Sequence, residues 1–199
     1  MRRIVFYGDS NTYGYDPRGF MGMRYPREIR WTEKVRNHFK GKYEIIEDGQ
    51  NGRLLPSPPR EEAFLKNLTE ELSTGDLLFI MLGTNDILLT DHPDADEAVR
   101  KMNELLDWIK TDEAGFEVII IGPVPISARS EDMRVYYEES VRMNAGFRRA
   151  CEERGISCYD AADWDIALAY DGVHFSEDGC LQFAQHMIDI ISDKTDKWL

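Results

Sequence analysis

Apolar positions in this chain fall in short unbroken runs rather than in alternation: Ile4–Tyr7, Tyr43–Ile46, Leu77–Leu82 and Val118–Ile121, with a weaker run at Ile156–Tyr159. A strand with one wet face alternates apolar and polar residues, whereas a strand covered on both faces stays apolar. The runs therefore predict buried strands. Between them lie stretches of helical spacing and composition at 28–39, 60–72, 96–110, 132–154 and 177–191. Regular alternation of strand and helix predicts parallel strands joined by crossovers, and so an α/β chain folded as a three-layer α/β/α sandwich on a five-stranded parallel sheet. Leu55-Pro56-Ser57-Pro58-Pro59 reads as a stiff loop leading into a helix, and no linker, repeat or low-complexity tract divides the chain. One domain over 1–199 is expected.

Polar blocks follow the predicted strands. Ile4–Tyr7 drops into Gly8-Asp9-Ser10-Asn11-Thr12, the second run is followed by Gly49-Gln50-Asn51-Gly52-Arg53, and the third by Gly83-Thr84-Asn85-Asp86. A fourth block, Asp171-Gly172-Val173-His174, lies in the loop after the last strand. Open parallel sheets bind ligands at the C-terminal strand edge, where the strand order switches. All four blocks should meet there.

Their chemistry suits nucleophilic catalysis. A serine hydroxyl needs an adjacent base, a histidine supplies it, and a carboxylate fixes the histidine tautomer and stabilises the imidazolium. Ser10, His174 and Asp171 are the candidates for those roles, the last two close enough for one loop to carry both. Developing negative charge on an acyl oxygen needs preorganised donors. The Ser10 backbone N–H at a predicted helix start, the Gly52 backbone N–H and the Asn85 side-chain amide are available for it. Asp9 and Asp86 read as caps of neighbouring backbone N–H groups. Ser176, followed by Glu177 and Asp178, reads as the N-cap of the last helix.

Charge and composition narrow the classes. The 199 residues carry a formal net charge of −13, with no concentrated block of Lys and Arg, which argues against a nucleic-acid partner. The acidic excess reads as solvated helix faces, such as Glu152-Glu153. The apolar stretch after Met1-Arg2-Arg3 ends at Gly8, short of the about 7–15 residues of a signal-peptide core, and no run approaches the about 20 residues of a membrane span. Cys151, Cys158 and Cys180 have no CxxC spacing and fit reduced, structural thiols. A cytoplasmic protein with no membrane partner is expected.

The four blocks, in this order and spanning almost the whole chain, resemble those of the SGNH, or GDSL-type, hydrolase superfamily. Gly8-Asp9-Ser10-Asn11-Thr12-Tyr13-Gly14, Arg30-Trp31-Thr32, Met81-Leu82-Gly83-Thr84-Asn85-Asp86 and Asp171-Gly172-Val173-His174-Phe175 are most similar to its arylesterase/acyltransferase branch. The resemblance implies the flavodoxin-like fold of that superfamily and ester hydrolysis by a Ser10-Asp171-His174 triad. It also implies an oxyanion hole of Ser10, Gly52 and Asn85, no cofactor or metal, and self-association into a homo-oligomer. Asn11 departs from the pattern, since many members carry leucine there, and is expected to alter polarity near the leaving group. Gly49, in the same loop as Gly52, is the other glycine that could supply the donor.

Substrate contacts are expected from Asn11, Tyr13 and Tyr15 and from the apolar residues Ile87, Pro125, Ile126 and Val173 in loops after strands. Their moderate size favours a short acyl group such as acetyl, on a small-molecule or carbohydrate ester, over a long lipid chain. Three other readings are open on the sequence alone: a lysophospholipase- or thioesterase-type lipid hydrolase, a non-catalytic ligand-binding module on the same fold, and a metal-dependent phosphoesterase using Asp9, Asp86, Asp171 and His174.

Overall fold

The computed structural model describes residues 1–19, 23–56, 60–110 and 115–196, so Ser57-Pro58-Pro59 of the proline cluster lie outside the described residues. Five strands, β1 (Arg3–Gly8), β2 (Glu44–Gly49), β3 (Leu77–Met81), β4 (Glu117–Gly122) and β5 (Ser157–Asp160), pair in parallel in the order β2-β1-β3-β4-β5. Helices α1 (Ser10–Tyr13), α2 (Trp31–His38), α3 (Arg60–Glu70), α4 (Thr84–Leu88), α5 (Ala95–Lys110), α6 (Glu131–Glu152) and α7 (Glu177–Asp196) connect and cover them.

The unbroken apolar runs are explained by two cores. Successive side chains of a strand point to opposite faces. Val5, Tyr7, Leu78, Ile80 and Ile120 therefore pack on one face with Leu65 of α3, Met102 of α5 and Phe147 of α6. Ile4, Phe6, Phe79, Ile119 and Ile121 pack on the other with Trp31 and Val35 of α2 and Phe183 and Met187 of α7. The sheet is thus covered on both sides, as the runs predict.

Strand β2 continues to Gly49, past the predicted end at Ile46, because as an edge strand it tolerates polar residues that a central strand would not. Glu47 there accepts from Arg24 and from Thr32, and Asp48 pairs with Arg53 at 2.7 Å. The chain leaves β1 for β2 on one side and then returns to β3 on the other, so the strand order switches at β1. That crevice begins at Gly8-Asp9-Ser10. Among the described residues no helix is long and apolar enough to cross a membrane.

Candidate active site

Ser10 is the first residue of α1, a one-turn helix that starts directly from the end of β1. Asp9 caps it, accepting the Asn11 N–H on Oδ1 at 2.9 Å. The turn presents Ser10 with 8% exposure toward a loop that comes back from the far end of the chain. In that loop His174 Nε2 lies 3.0 Å from Ser10 Oγ, and His174 Nδ1 lies 2.6 Å from Asp171 Oδ2. The other oxygen of Asp171 accepts the backbone N–H groups of Val173 and His174, each at 3.0 Å. One carboxylate therefore shapes the loop and orients the ring it carries. Burial disfavours its charge, but the hydrogen bonds from the His174 ring and from those two N–H groups prevail and lower its pKa to about 2. It is a fixed anion across the physiological range.

The other two blocks meet beside this one. Arg53, only 9% exposed, donates to the Gly8 carbonyl at 2.9 Å and to the Asp48 carbonyl, and its guanidinium lies 4.0 Å from the centre of the Tyr7 ring. The loop after β2 is thereby pinned to the end of β1. Asn85, in α4 just beyond β3, donates through Nδ2 to the Arg53 carbonyl at 3.0 Å, and Asp86 accepts the Leu55 N–H at 2.8 Å while pairing with Lys101 at 2.9 Å. An amide nitrogen has two protons. With one on Arg53, the second proton of Asn85 remains for a substrate oxygen. All four blocks are joined by direct hydrogen bonds at the C-terminal strand edge.

The two glycines of the second block differ. A Cβ on Gly49 would lie 2.2 Å from the backbone nitrogen of Tyr13, so Gly49 is where β2 and α1 approach most closely. Gly52 has a positive φ of 74° and is exposed, with nothing within 4 Å of where a Cβ would stand. Packing occupies Gly49, and Gly52 is the glycine that presents its backbone at the surface.

The expected substrate residues divide. Tyr15 stands against the His174 imidazole, ring centroids 4.4 Å apart. Tyr13 holds Arg24 over its ring at 4.4 Å and Pro125 is partly exposed after β4, whereas Val173, expected in the pocket, is buried next to His174 and joins the α3/α5/α6 core. Ile87 and Ile126 were expected in the pocket because they follow strand ends, but they are 0% and 1% exposed and belong to the α3/α5/α6 core. The one-turn helix α4 carries Ile87, and the segment after β4 carries Ile126, back under the sheet edge. Asn11 was expected to face the leaving group, yet both polar atoms of its side chain are bound to the His174 loop. The residues that sequence reasoning missed are Arg53 as a pin and Asn11 as a link. For Arg53 the only signal was a basic residue directly after the glycine block.

Asp9, Asp86, Asp171 and His174 do not gather as metal ligands. Asp86 is spent on Lys101 and Leu55, and Asp171 and His174 on one another; among the described residues no group of three or more His, Cys, Asp or Glu side chains is arranged to hold an ion. Asp9 is buried, and the Thr84 hydroxyl beside it favours its ionised form without making a regular hydrogen bond. Burial raises the Asp9 pKa to about 6, against the Asn11 N–H and the charge of His174, which favour the ionised form.

Residues 6–180 match the GDSL-like lipase/acylhydrolase family. The chain belongs to that family. A solved structure of a candidate arylesterase from Agrobacterium tumefaciens is similar at 28% identity and a TM-score of 0.80, covering 97% of this chain and 99% of that one. A carbohydrate acetylesterase from Sinorhizobium meliloti, at 22% identity, and an aryl esterase from M. smegmatis, at 20%, each superpose with a TM-score of 0.80 over 97% of this chain and 99% of theirs. These last two likenesses carry the fold. No curated protein matches the sequence. As a GDSL-like acylhydrolase the chain is a serine esterase acting on acyl esters.

Proposed function

We propose that this GDSL-like hydrolase removes short acyl groups, such as acetyl, from small-molecule or carbohydrate esters through an acyl-Ser10 intermediate. The observation that carries the reading is the continuous line from Ser10 Oγ through His174 to Asp171, at 3.0 and 2.6 Å. Ser10 Oγ attacks the ester carbonyl carbon as its proton passes to His174 Nε2, and the carbonyl electrons move to oxygen. The backbone N–H groups of Ser10 and Gly52 and the free proton of Asn85 receive that oxyanion. Collapse expels the alcohol, which takes the proton from His174. Water then repeats the sequence on the acyl-serine, or a second alcohol does so and the acyl group is transferred. Asp171 stays ionised throughout and stabilises the imidazolium.

A short acyl group is supported by Ile87 and Ile126: apolar side chains that could line a lipid channel are spent on the core. The likeness to a carbohydrate acetylesterase supports the same choice. The three triad residues come from one chain, so a single domain over 1–199 suffices for the chemistry, whether or not copies associate. Free Cys151, Cys158 and Cys180 and the acidic charge support a cytoplasmic protein without a nucleic-acid partner.

The test compares p-nitrophenyl acetate hydrolysis by the wild type and Ser10→Ala, both in EDTA. Turnover by the wild type and background rates for the variant are expected. Equal rates would refute the serine mechanism, and loss of wild-type activity in EDTA would reopen the metal reading. A series of acyl lengths then checks the preference for acetyl.

A further inference from the structure

Asn11, next to the nucleophile, is 6% exposed and has every polar group bonded. Its N–H donates to Asp9 Oδ1 at 2.9 Å, and its carbonyl accepts from Trp31 Nε1 at 2.9 Å. The side chain then crosses to the loop that carries the base. Oδ1 accepts the Phe175 N–H at 3.0 Å and Nδ2 donates to the Val173 carbonyl at 3.2 Å. These partners fix the orientation of the amide, because only oxygen can face an N–H and only nitrogen can face a carbonyl.

The two bonds fall on the residues immediately before and after His174. In a parallel ladder, one residue bonds the carbonyl of j−1 and the N–H of j+1 on its neighbour, which fixes the side-chain direction of residue j. The Asn11 amide reproduces that pattern with a side chain, and residue j is His174. Other bonds hold the loop as well: Asp171 accepts from Val173 and His174, the His174 carbonyl accepts the Ala169 N–H at 2.7 Å, the Gly172 carbonyl accepts the Ser127 N–H at 2.8 Å and the Phe175 carbonyl accepts the Tyr25 hydroxyl at 3.2 Å. These shape and anchor the loop, but none of their partners lies on the nucleophile turn. Asn11 supplies the register, being joined covalently to Ser10 and by two hydrogen bonds to the residues flanking His174.

We infer that Asn11 is a positioning residue, whose side-chain amide clips the His174 loop to the nucleophile turn and sets the distance from Ser10 Oγ to His174 Nε2. The inference rests on the serine-esterase reading above. Asn11 does not touch the reacting atoms, and its effect should fall on the chemical step. A displacement of about 1 Å can cost on the order of 100-fold in rate when reacting groups are held for direct attack.

The test uses two variants of the full chain. Asn11→Leu removes both bonds at similar volume. Asn11→Asp keeps the acceptor for Phe175 and sets a carboxylate oxygen against the Val173 carbonyl. In each, kcat for p-nitrophenyl acetate should fall about 10- to 100-fold, with KM held within about twofold. The low-field proton resonance of the His174 Nδ1–H, held by Asp171 inside the loop, should persist. A kcat within about twofold of wild type in Asn11→Leu overturns the inference. So does a fall in kcat accompanied by loss of that resonance while cooperative unfolding is kept, since Asn11 would then hold the inner structure of the loop rather than its register to Ser10. Should Asn11→Leu fail to fold, Asn11→Asp is read by the same criteria. Ser10→Ala, assayed alongside, keeps the readings apart: its activity at the wild-type rate removes the serine mechanism itself, whereas an inactive Ser10→Ala beside a normal Asn11→Leu removes only the clip.

Discussion

Asp9→Asn should make the protein more stable. The carboxyl is fully enclosed, Oδ2 makes no regular hydrogen bond beside the Thr84 hydroxyl, and burial carries its pKa from 3.8 to about 6. At about 1.4 kcal/mol per pH unit of displacement, ionised Asp9 costs the folded state roughly 3 kcal/mol at neutral pH. Asparagine keeps an acceptor for the Asn11 N–H and offers a donor to the Thr84 hydroxyl, without the charge. A neutral acceptor makes the weaker cap, so the net gain should be about 1–3 kcal/mol, or roughly 3–10 °C in Tm for a domain of this size. The sign fixes the pH dependence. A carboxyl whose folded pKa is raised binds its proton more tightly when folded, so the penalty is full above pH 6, fades as pH falls from 6 toward 3.8, and is absent below. The Tm advantage of Asp9→Asn should therefore be largest at neutral to mildly alkaline pH and close as the pH approaches 3.8. Calorimetric or fluorescence melts across that range measure it. A variant less stable than wild type at pH 8, or an advantage that does not narrow in acid, would refute the reasoning.

Three further substitutions probe other joints of the site. Asn85→Ala removes the side-chain oxyanion donor and should lower kcat on the order of 100-fold or more with little change in KM, read from steady-state kinetics. Asp171→Asn should cost about 10⁴-fold in kcat through the wrong histidine tautomer. Since the Asp171 pKa is lowered to about 2, its stabilisation is present above pH 3.8 and is lost only as pH falls toward 2, so acid inactivation of the wild type above pH 4 should not report this group, as a pH–rate profile can check. Arg53→Ala takes the guanidinium donor from the Asp48 carbonyl and carboxylate and leaves the Gly8 carbonyl with the Gln50 N–H alone. Losing these charge-assisted bonds from a partly buried pair should destabilise by about 1.5–3 kcal/mol in denaturant unfolding and lower kcat as the Asn85 anchor loosens.

Strands β1, β3 and β4 were legible because each is buried on both faces and so carries an unbroken apolar run. The end of β2 was not, because Glu47 and Asp48 are polar residues satisfied by arginines that no local pattern reveals. Helices α1 and α4 are one turn each, too short for periodicity to register. Ser10, Asp171 and His174 stood out as polar residues in turns, and their meeting followed from the parallel topology. Partners remote in sequence were not: Asn11 bonds Val173 and Phe175, 162 and 164 positions away, and nothing near Asn11 specifies them. Ile87 and Ile126 were misplaced because the sequence shows that an apolar residue follows a strand end, not whether its loop turns it into the cleft or back under the sheet.

The central claim is that an acyl group passes through Ser10. Rapid acid quench of the enzyme during turnover of p-nitrophenyl acetate, followed by peptide mass spectrometry, tests it most directly. The account predicts one acetyl on the peptide containing Ser10, trapped in near-stoichiometric amount when deacylation is slowed and absent from Ser10→Ala. Turnover with Ser10 unmodified throughout, or with the acetyl on another residue, would contradict it.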